Sequence, residues 1–200
     1  MGLVMKKVVL IVGGCRSGKS RYALELASQV AEKSNIFIAT LVPGDDEMKA
    51  RVQRHQKERD QHWKTFEAPI RLPEAVNNHG LKRNVVVVDC LTLWLSNLLL
   101  ESDDPQGLEE QIHALIQALE TAQCSIFLVS NEVGTGIVPE NRLARLFRDI
   151  AGFANQKVAA CADSVVWMVA GIPVLVKNSG SKDQDLISPH RGAPISNGAN

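Results

Sequence analysis

Gly13-Gly14-Cys15-Arg16-Ser17-Gly18-Lys19-Ser20 is the stretch whose residue types and spacing can do chemistry. It fits G-x-x-x-x-G-K-[ST], a loop that cradles phosphates. Gly13 and Gly18 permit backbone conformations that a side chain would block. Successive N–H groups can then converge on an anion, and the helix that follows adds the positive end of its dipole. In that chemistry Lys19 reaches the β- and γ-phosphates of a nucleotide and the Ser20 hydroxyl ligates Mg²⁺. The same pattern also arises by chance in glycine-rich turns, so the flanks decide. Before it, Val8-Val9-Leu10-Ile11-Val12 is an apolar, β-branched run of the kind found in buried strands. After it, Ala23, Leu24, Ala27, Val30 and Ala31 share one face of a predicted helix. Strand, loop and helix therefore follow in the required order.

A second group of candidates lies further along. Val85-Val86-Val87-Val88 runs straight into Asp89. Downstream of a phosphate cradle, a carboxylate at such a strand end holds Mg²⁺ directly or through water. Its competing role is to cap the next helix. Met48, Val52, His55 and Arg59 recur at spacings of four, three and four, which puts them on one face of a helix beginning near Asp45-Asp46-Glu47. The residues alone favour a packed, hydrogen-bonded histidine at His55. They favour the same for His62, just before Trp63 near the end of that helix. Asn131-Glu132-Val133-Gly134-Thr135-Gly136 forms a polar loop after a strand, the place where open sheets build their ligand crevice. Arg142, Arg145 and Arg148 lie along a helix expected to start at Pro139. At a spacing of three they read most simply as a solvated face.

The elements that must position these groups alternate. Strand-like runs fall at 8–12, 35–40, 85–89, 126–130, 165–170 and 174–177. Most are continuously apolar, as strands buried on both faces of a parallel sheet are. Helical patterns lie between them, including the strongly apolar Leu91 to Leu100 stretch and an amphipathic one from Leu108 to Ala122. The expectation is an α/β fold with a mostly parallel sheet flanked by helices. Gly171-Ile172-Pro173 is too short for a parallel crossover, so the last two strands should form an antiparallel edge hairpin.

The bulk composition narrows the function. Lys plus Arg and Asp plus Glu both number 22, giving zero formal charge. That argues against a nucleic-acid or anionic-membrane binder. No apolar run is long enough to span a bilayer. No secretory leader is visible, and Cys15, Cys90, Cys124 and Cys161 are scattered, as free thiols in a cytoplasmic protein would be. One domain over residues 1–178 is expected, followed by a flexible tail over 179–200, where composition turns to Ser, Gly, Asp and Asn.

Taken together, these residues resemble the bifunctional adenosylcobinamide kinase/adenosylcobinamide-phosphate guanylyltransferases of cobalamin biosynthesis. The resemblance rests on the phosphate loop with Arg21, on Asp45-Asp46-Glu47-Met48, and on Arg51-Val52-Gln53-Arg54-His55. Asp89-Cys90-Leu91-Thr92 and Trp94 extend it. Its most specific part is Ser130-Asn131-Glu132-Val133-Gly134-Thr135-Gly136-Ile137-Val138-Pro139, followed by Phe147-Arg148-Asp149-Ile150-Ala151-Gly152 and Asn155-Gln156. Asp60 departs from the family, where proline is expected after Arg59.

The resemblance implies a RecA-like P-loop fold and two reactions. ATP or GTP phosphorylates the aminopropanol hydroxyl of adenosylcobinamide. GTP then donates GMP to that phosphate through a guanylylated histidine. The family's histidine aligns with His55, which turns the packed histidine into a nucleophile. The resemblance also implies that Ala39, Thr40, Leu41, Gln56, Lys57, Glu58, Arg59, Glu67 and Asp89 bind nucleotide, with Glu67 near guanine. It implies a homo-oligomer, with a tendency to trimers. The main alternative is a P-loop small-molecule kinase that lacks the guanylyl step. A switch GTPase would need an N-K-x-D motif, and none occurs. A RecA-type nucleic-acid motor is disfavoured by the charge balance.

Overall fold

Alternation along the first strand sets the two layers of the molecule. In β1 (Val8–Gly13), Val8 and Leu10 point into one apolar cluster, and Val9 and Ile11 into another on the opposite face. A strand buried on both faces must be covered by helices on both. The computed structural model describes residues 6–30, 34–42, 62–102 and 104–179. Within them, α1 (Lys19–Val30) covers one face through Ala23, Leu26 and Ala27. The other face carries α2 (Leu72–His79), α3 (Leu91–Glu101), α4 (Pro105–Thr121) and α5 (Arg142–Cys161).

The remaining strands are β2 (Ser34–Ala39), β3 (Trp63–Glu67), β4 (Asn84–Asp89), β5 (Ser125–Asn131), β6 (Ser164–Val169) and β7 (Ile172–Asn178). They form one seven-stranded sheet in the order β3-β2-β4-β5-β1-β6-β7. All neighbours pair in parallel except β6 with β7. The expected α/β class and antiparallel edge hairpin are therefore present. Strand β5 lies between the strand of the phosphate loop and the strand that ends in Asp89.

The larger cluster centres on Trp94, which is fully buried. Its indole N–H donates to the Ile70 carbonyl at 2.7 Å, so the ring's one polar atom is satisfied. Burying a side chain of this kind contributes on the order of 1.5–3 kcal/mol. Helix α4 starts at Pro105, where the Asp104 carboxylate accepts from the N–H groups of Gln106 and Gly107.

Three sequence expectations are corrected. Trp63 does not end a helix: it opens β3, a parallel edge strand whose next four residues are exposed. Helix α5 starts at Arg142, not Pro139, because the Asn141 side chain accepts from the Ala144 N–H and caps it there. The link between the last two strands is only Ala170-Gly171, both at positive φ (50° and 84°), and Ile172 and Pro173 already belong to β7. A two-residue turn of that kind matches the twist of its strands. Pro173 is tolerated because β7 is the sheet's edge. The helix expected from Asp45, with His55, Gln56, Lys57, Glu58 and Arg59, lies outside the described residues, as do 180–200 of the expected tail.

Candidate functional site

The candidate site residues that are described lie at the carboxyl ends of the parallel strands. Register places Gly13 beside Asn131 on one side and Met168 on the other. Asp89 pairs with Val129 and with Ala39, and Ala39 pairs with Glu67. The edge thus reads Glu67, Ala39, Asp89, Asn131, Gly13 from β3 to β1. Four strand spacings separate its ends, about 19 Å.

At one end the phosphate loop has the closed form its sequence requires. A Cβ on Gly13 would lie 2.5 Å from the Met168 carbonyl oxygen, so only glycine lets β1 approach β6 there. Gly18 sits at φ 90° and Arg16 at φ 54°. The Ser17 N–H donates to the Gly14 carbonyl at 3.3 Å, and the Gly171 N–H of the edge turn donates to the Ser17 carbonyl at 3.1 Å. Gly14, Cys15 and Arg16 are exposed, while Ser17 and Lys19 are buried and Ser20 is half-buried. Lys19 folds back into the loop, its ammonium donating to the Gly14 carbonyl at 2.6 Å and to Ser17 Oγ at 3.4 Å. Burial pushes its pKa down, opposed by Cys90, Asp89 and Cys15 nearby. Burial, with Asp89 beside it, pushes the Cys90 thiol up. Asp89 is thus within electrostatic reach of the loop lysine.

The middle of the edge is a polar lattice. Thr40, fully buried, accepts from the Cys90 N–H and donates to the Cys90 carbonyl. The peptide between Asp89 and Cys90 is cis. Asn97 donates to the Thr40 carbonyl at 2.8 Å and to Pro69 at 3.0 Å. Asn131 donates to Thr92 Oγ1 at 2.9 Å, and Thr92 meets Cys90 Sγ at 3.0 Å. These bonds tie the ends of β2, β4 and β5 to the start of α3. Of the nucleotide-binding positions expected on this side, Ala39 and Leu41 are half-buried, Thr40 is structural in its side chain, and Glu67 is exposed at the far end.

The loop after β5 is pinned to this edge. The Glu132 N–H donates to the Gly13 carbonyl at 3.1 Å, and the Glu132 carboxylate accepts from the Gly134 N–H. Arg148 donates to the Gly134 carbonyl at 2.7 Å, so this arginine is not merely part of a solvated face. Arg142 and Arg145 are exposed, as expected. Asn155 donates to the Asn131 carbonyl at 3.3 Å. His62 is exposed in the turn before β3.

The two groups expected at a divalent ion, the Ser20 hydroxyl and the Asp89 carboxylate, are hard oxygens. Among the described residues no group of three or more His, Cys, Asp or Glu could hold a metal alone. That donor set fits Mg²⁺, which keeps waters and takes one or two protein oxygens plus substrate phosphates.

A family model described as cobinamide kinase / cobinamide phosphate guanyltransferase, CobU, matches residues 9–176. The chain belongs to the CobU family. It is 43% identical over 168 residues to the bifunctional adenosylcobalamin biosynthesis protein CobP of Pseudomonas aeruginosa, a match covering 84% of this chain and 96% of that one. It is 41% identical over 182 residues to the bifunctional adenosylcobalamin biosynthesis protein CobU of Escherichia coli, covering 85% of this chain and 99% of the relative. The Salmonella typhimurium CobU gives the same identity and coverage. Among solved structures, a KaiC-like protein, PH0186, from Pyrococcus horikoshii OT3 is similar at a TM-score of 0.47 and 14% identity, covering 86% of this chain and 79% of that one. The CobU match takes in the phosphate loop, Asp89 and the whole loop after β5. Among the described residues no helix is long and apolar enough to cross a membrane.

Proposed function

We propose that this chain catalyses both reactions of the CobU family, that both need the phosphate loop, and that a protein nucleophile serves only the second. The observation that carries the reading is the family match over residues 9–176, joined to a phosphate loop with a carboxylate strand end beside it. In the kinase step the aminopropanol hydroxyl of adenosylcobinamide attacks the γ-phosphorus of ATP or GTP, and the bond to the nucleoside diphosphate breaks. Gly13 to Ser20 hold the phosphates, Lys19 neutralises their charge, and Ser20 and Asp89 hold the Mg²⁺ that accompanies them. Bound Mg²⁺ supplies charge stabilisation on the transferring group.

In the second step the His55 imidazole attacks the α-phosphorus of GTP and pyrophosphate leaves. The phosphate of adenosylcobinamide phosphate then attacks the same phosphorus, the P–N bond breaks, and adenosylcobinamide-GDP is released. A covalent intermediate divides one hard transfer into two easier ones. Ala39, Thr40 and Leu41, with Gln56 to Arg59, bind the nucleotide, and Glu67 takes the guanine end. The length of the strand-end row supports a guanine position far from Gly13.

The chain works as a homo-oligomer, in keeping with the family's trimers. Exposed Trp167, Val169, Ile172, Val174 and Val176 on the β6–β7 hairpin support this, since an apolar sheet edge of that kind is normally covered. Light scattering on the wild type and on Val176→Lys tests it, and a monomeric wild type would refute it. Residues 1–178 form the enzyme and 179–200 a dispensable tail, so a chain ending at Asn178 should keep both activities. Four free cysteines suit a reducing cytoplasm.

The direct test is to supply purified protein with adenosylcobinamide, Mg²⁺ and ATP, then GTP, and to follow both products. The wild type should form each in turn. Lys19→Ala should lose both by more than about a hundredfold, because both need phosphates held. Near-normal turnover in that variant would remove the cradle from the mechanism.

A further inference from the structure

The strand between the phosphate loop and Asp89 delivers one more carboxylate to the reaction edge. Strand β5 pairs with β1 through Asn131 and Gly13, and with β4 through Val129 and Asp89. The next residue, Glu132, continues the pairing: its N–H donates to the Gly13 carbonyl at 3.1 Å. Its backbone is therefore fixed against the first glycine of the cradle.

The side chain is half committed. One carboxylate oxygen, Oε1, accepts from the Gly134 N–H, which holds the group in one rotamer. The other, Oε2, has no hydrogen-bond partner among the described residues, and no cationic side chain there pairs with it. The loop that carries it is braced from α5 by Arg148 on Gly134 and by Asn155 on Asn131. A braced, half-buried carboxylate with one open oxygen, beside a phosphate cradle, has the geometry of a proton acceptor. Asp89 lies in the field of Lys19 and is assigned to Mg²⁺, which leaves Glu132 as the carboxylate next to the cradle, among the described residues, with no other role.

We propose that Glu132 is the catalytic base of the kinase step, an assignment that rests on the functional reading above. As the hydroxyl oxygen bonds to the γ-phosphorus and the bond to the departing nucleoside diphosphate breaks, the hydroxyl proton passes to Glu132 Oε2. The carboxylate returns it to water after the phosphorylated product leaves. The guanylyl step has no use for this group, because its nucleophiles are an imidazole and a phosphate oxygen.

Glu132→Gln tests this cleanly, since the amide oxygen can still accept from Gly134 while the base is gone. Phosphorylation of adenosylcobinamide should fall in kcat by roughly 10²–10⁴-fold. The Kd for ATP, the melting temperature and formation of a GMP adduct from GTP alone should stay near wild type. Glu132→Asp, which keeps a shorter carboxylate, should recover part of the lost kcat, and it decides the question if the glutamine variant does not fold. The proposal is overturned if kcat in Glu132→Gln stays within about tenfold of wild type. It is equally overturned if adduct formation falls in step with phosphorylation, or if the aspartate variant recovers nothing. A wild type that phosphorylates no adenosylcobinamide refutes the functional reading itself, a result separate from any outcome in the variants.

Discussion

The Thr40 hydroxyl holds both backbone polar groups of Cys90, donating to its carbonyl at 2.7 Å and accepting from its N–H at 2.8 Å. A single buried side chain thereby joins the end of β2 to the residue after Asp89. Thr40→Val keeps the shape and removes both bonds. The Cys90 carbonyl still accepts from the Trp94 N–H at 3.2 Å, so the variant orphans only the buried Cys90 N–H, and a loss of about 1–3 kcal/mol is expected on urea unfolding. Phosphorylation should slow as well, because the position of Asp89 loosens. An unchanged midpoint would show that this contact does not hold the edge together.

Gly13→Ala should be costly for a different reason. The new Cβ would lie 2.5 Å from the Met168 carbonyl and 2.9 Å from Ser17 Oγ, so β1 and β6 must part. Overpacking of this kind costs about 1–3 kcal/mol. ATP affinity should fall with stability, which calorimetry can follow; a variant as stable and as tight-binding as wild type would refute the close approach.

The strands were legible because they are buried. Continuous apolar runs in β1, β4 and β5 reflect helices on both faces, and that signal reports fold class directly. Strand β3 gave no such signal: Lys64, Thr65, Phe66 and Glu67 are exposed on an edge, so the sequence there has no reason to be apolar. The start of α5 was misread because Pro139 satisfies one rule for a helix start while Asn141 supplies the cap. The phosphate loop could be read whole, since its chemistry is local. The lattice of Thr40, Cys90, Thr92 and Asn131 could not, because its partners are up to 50 residues apart and only the sheet order brings them together. Glu132 was visible as part of a polar loop, but its attachment to Gly13 was not.

Thiol labelling offers a check on the cradle that needs no substrate turnover. Cys15 is exposed within the loop, whereas Cys90 and Cys124 are buried. Burial pushes the Cys124 thiol up to about 11 and raises those of Cys90 and Cys161, which keeps all three in the unreactive neutral form near pH 8. An alkylating reagent should modify Cys15 first, and saturating ATP with Mg²⁺ should protect it. Mass spectrometry would contradict the account if Cys124 reacts as fast as Cys15, or if nucleotide gives no protection.

The central claim is that one chain performs two chemistries and that His55 belongs to only one of them. Incubating the protein with α-labelled GTP and mapping the label tests this most directly, with His55→Ala run beside the wild type. The wild type should carry an acid-labile GMP adduct on His55. The alanine variant should lose the adduct and GMP transfer while it still phosphorylates adenosylcobinamide, a step that needs positioning and charge neutralisation but no protein nucleophile. An adduct that persists in His55→Ala, or a folded variant that loses both reactions together, would contradict the account.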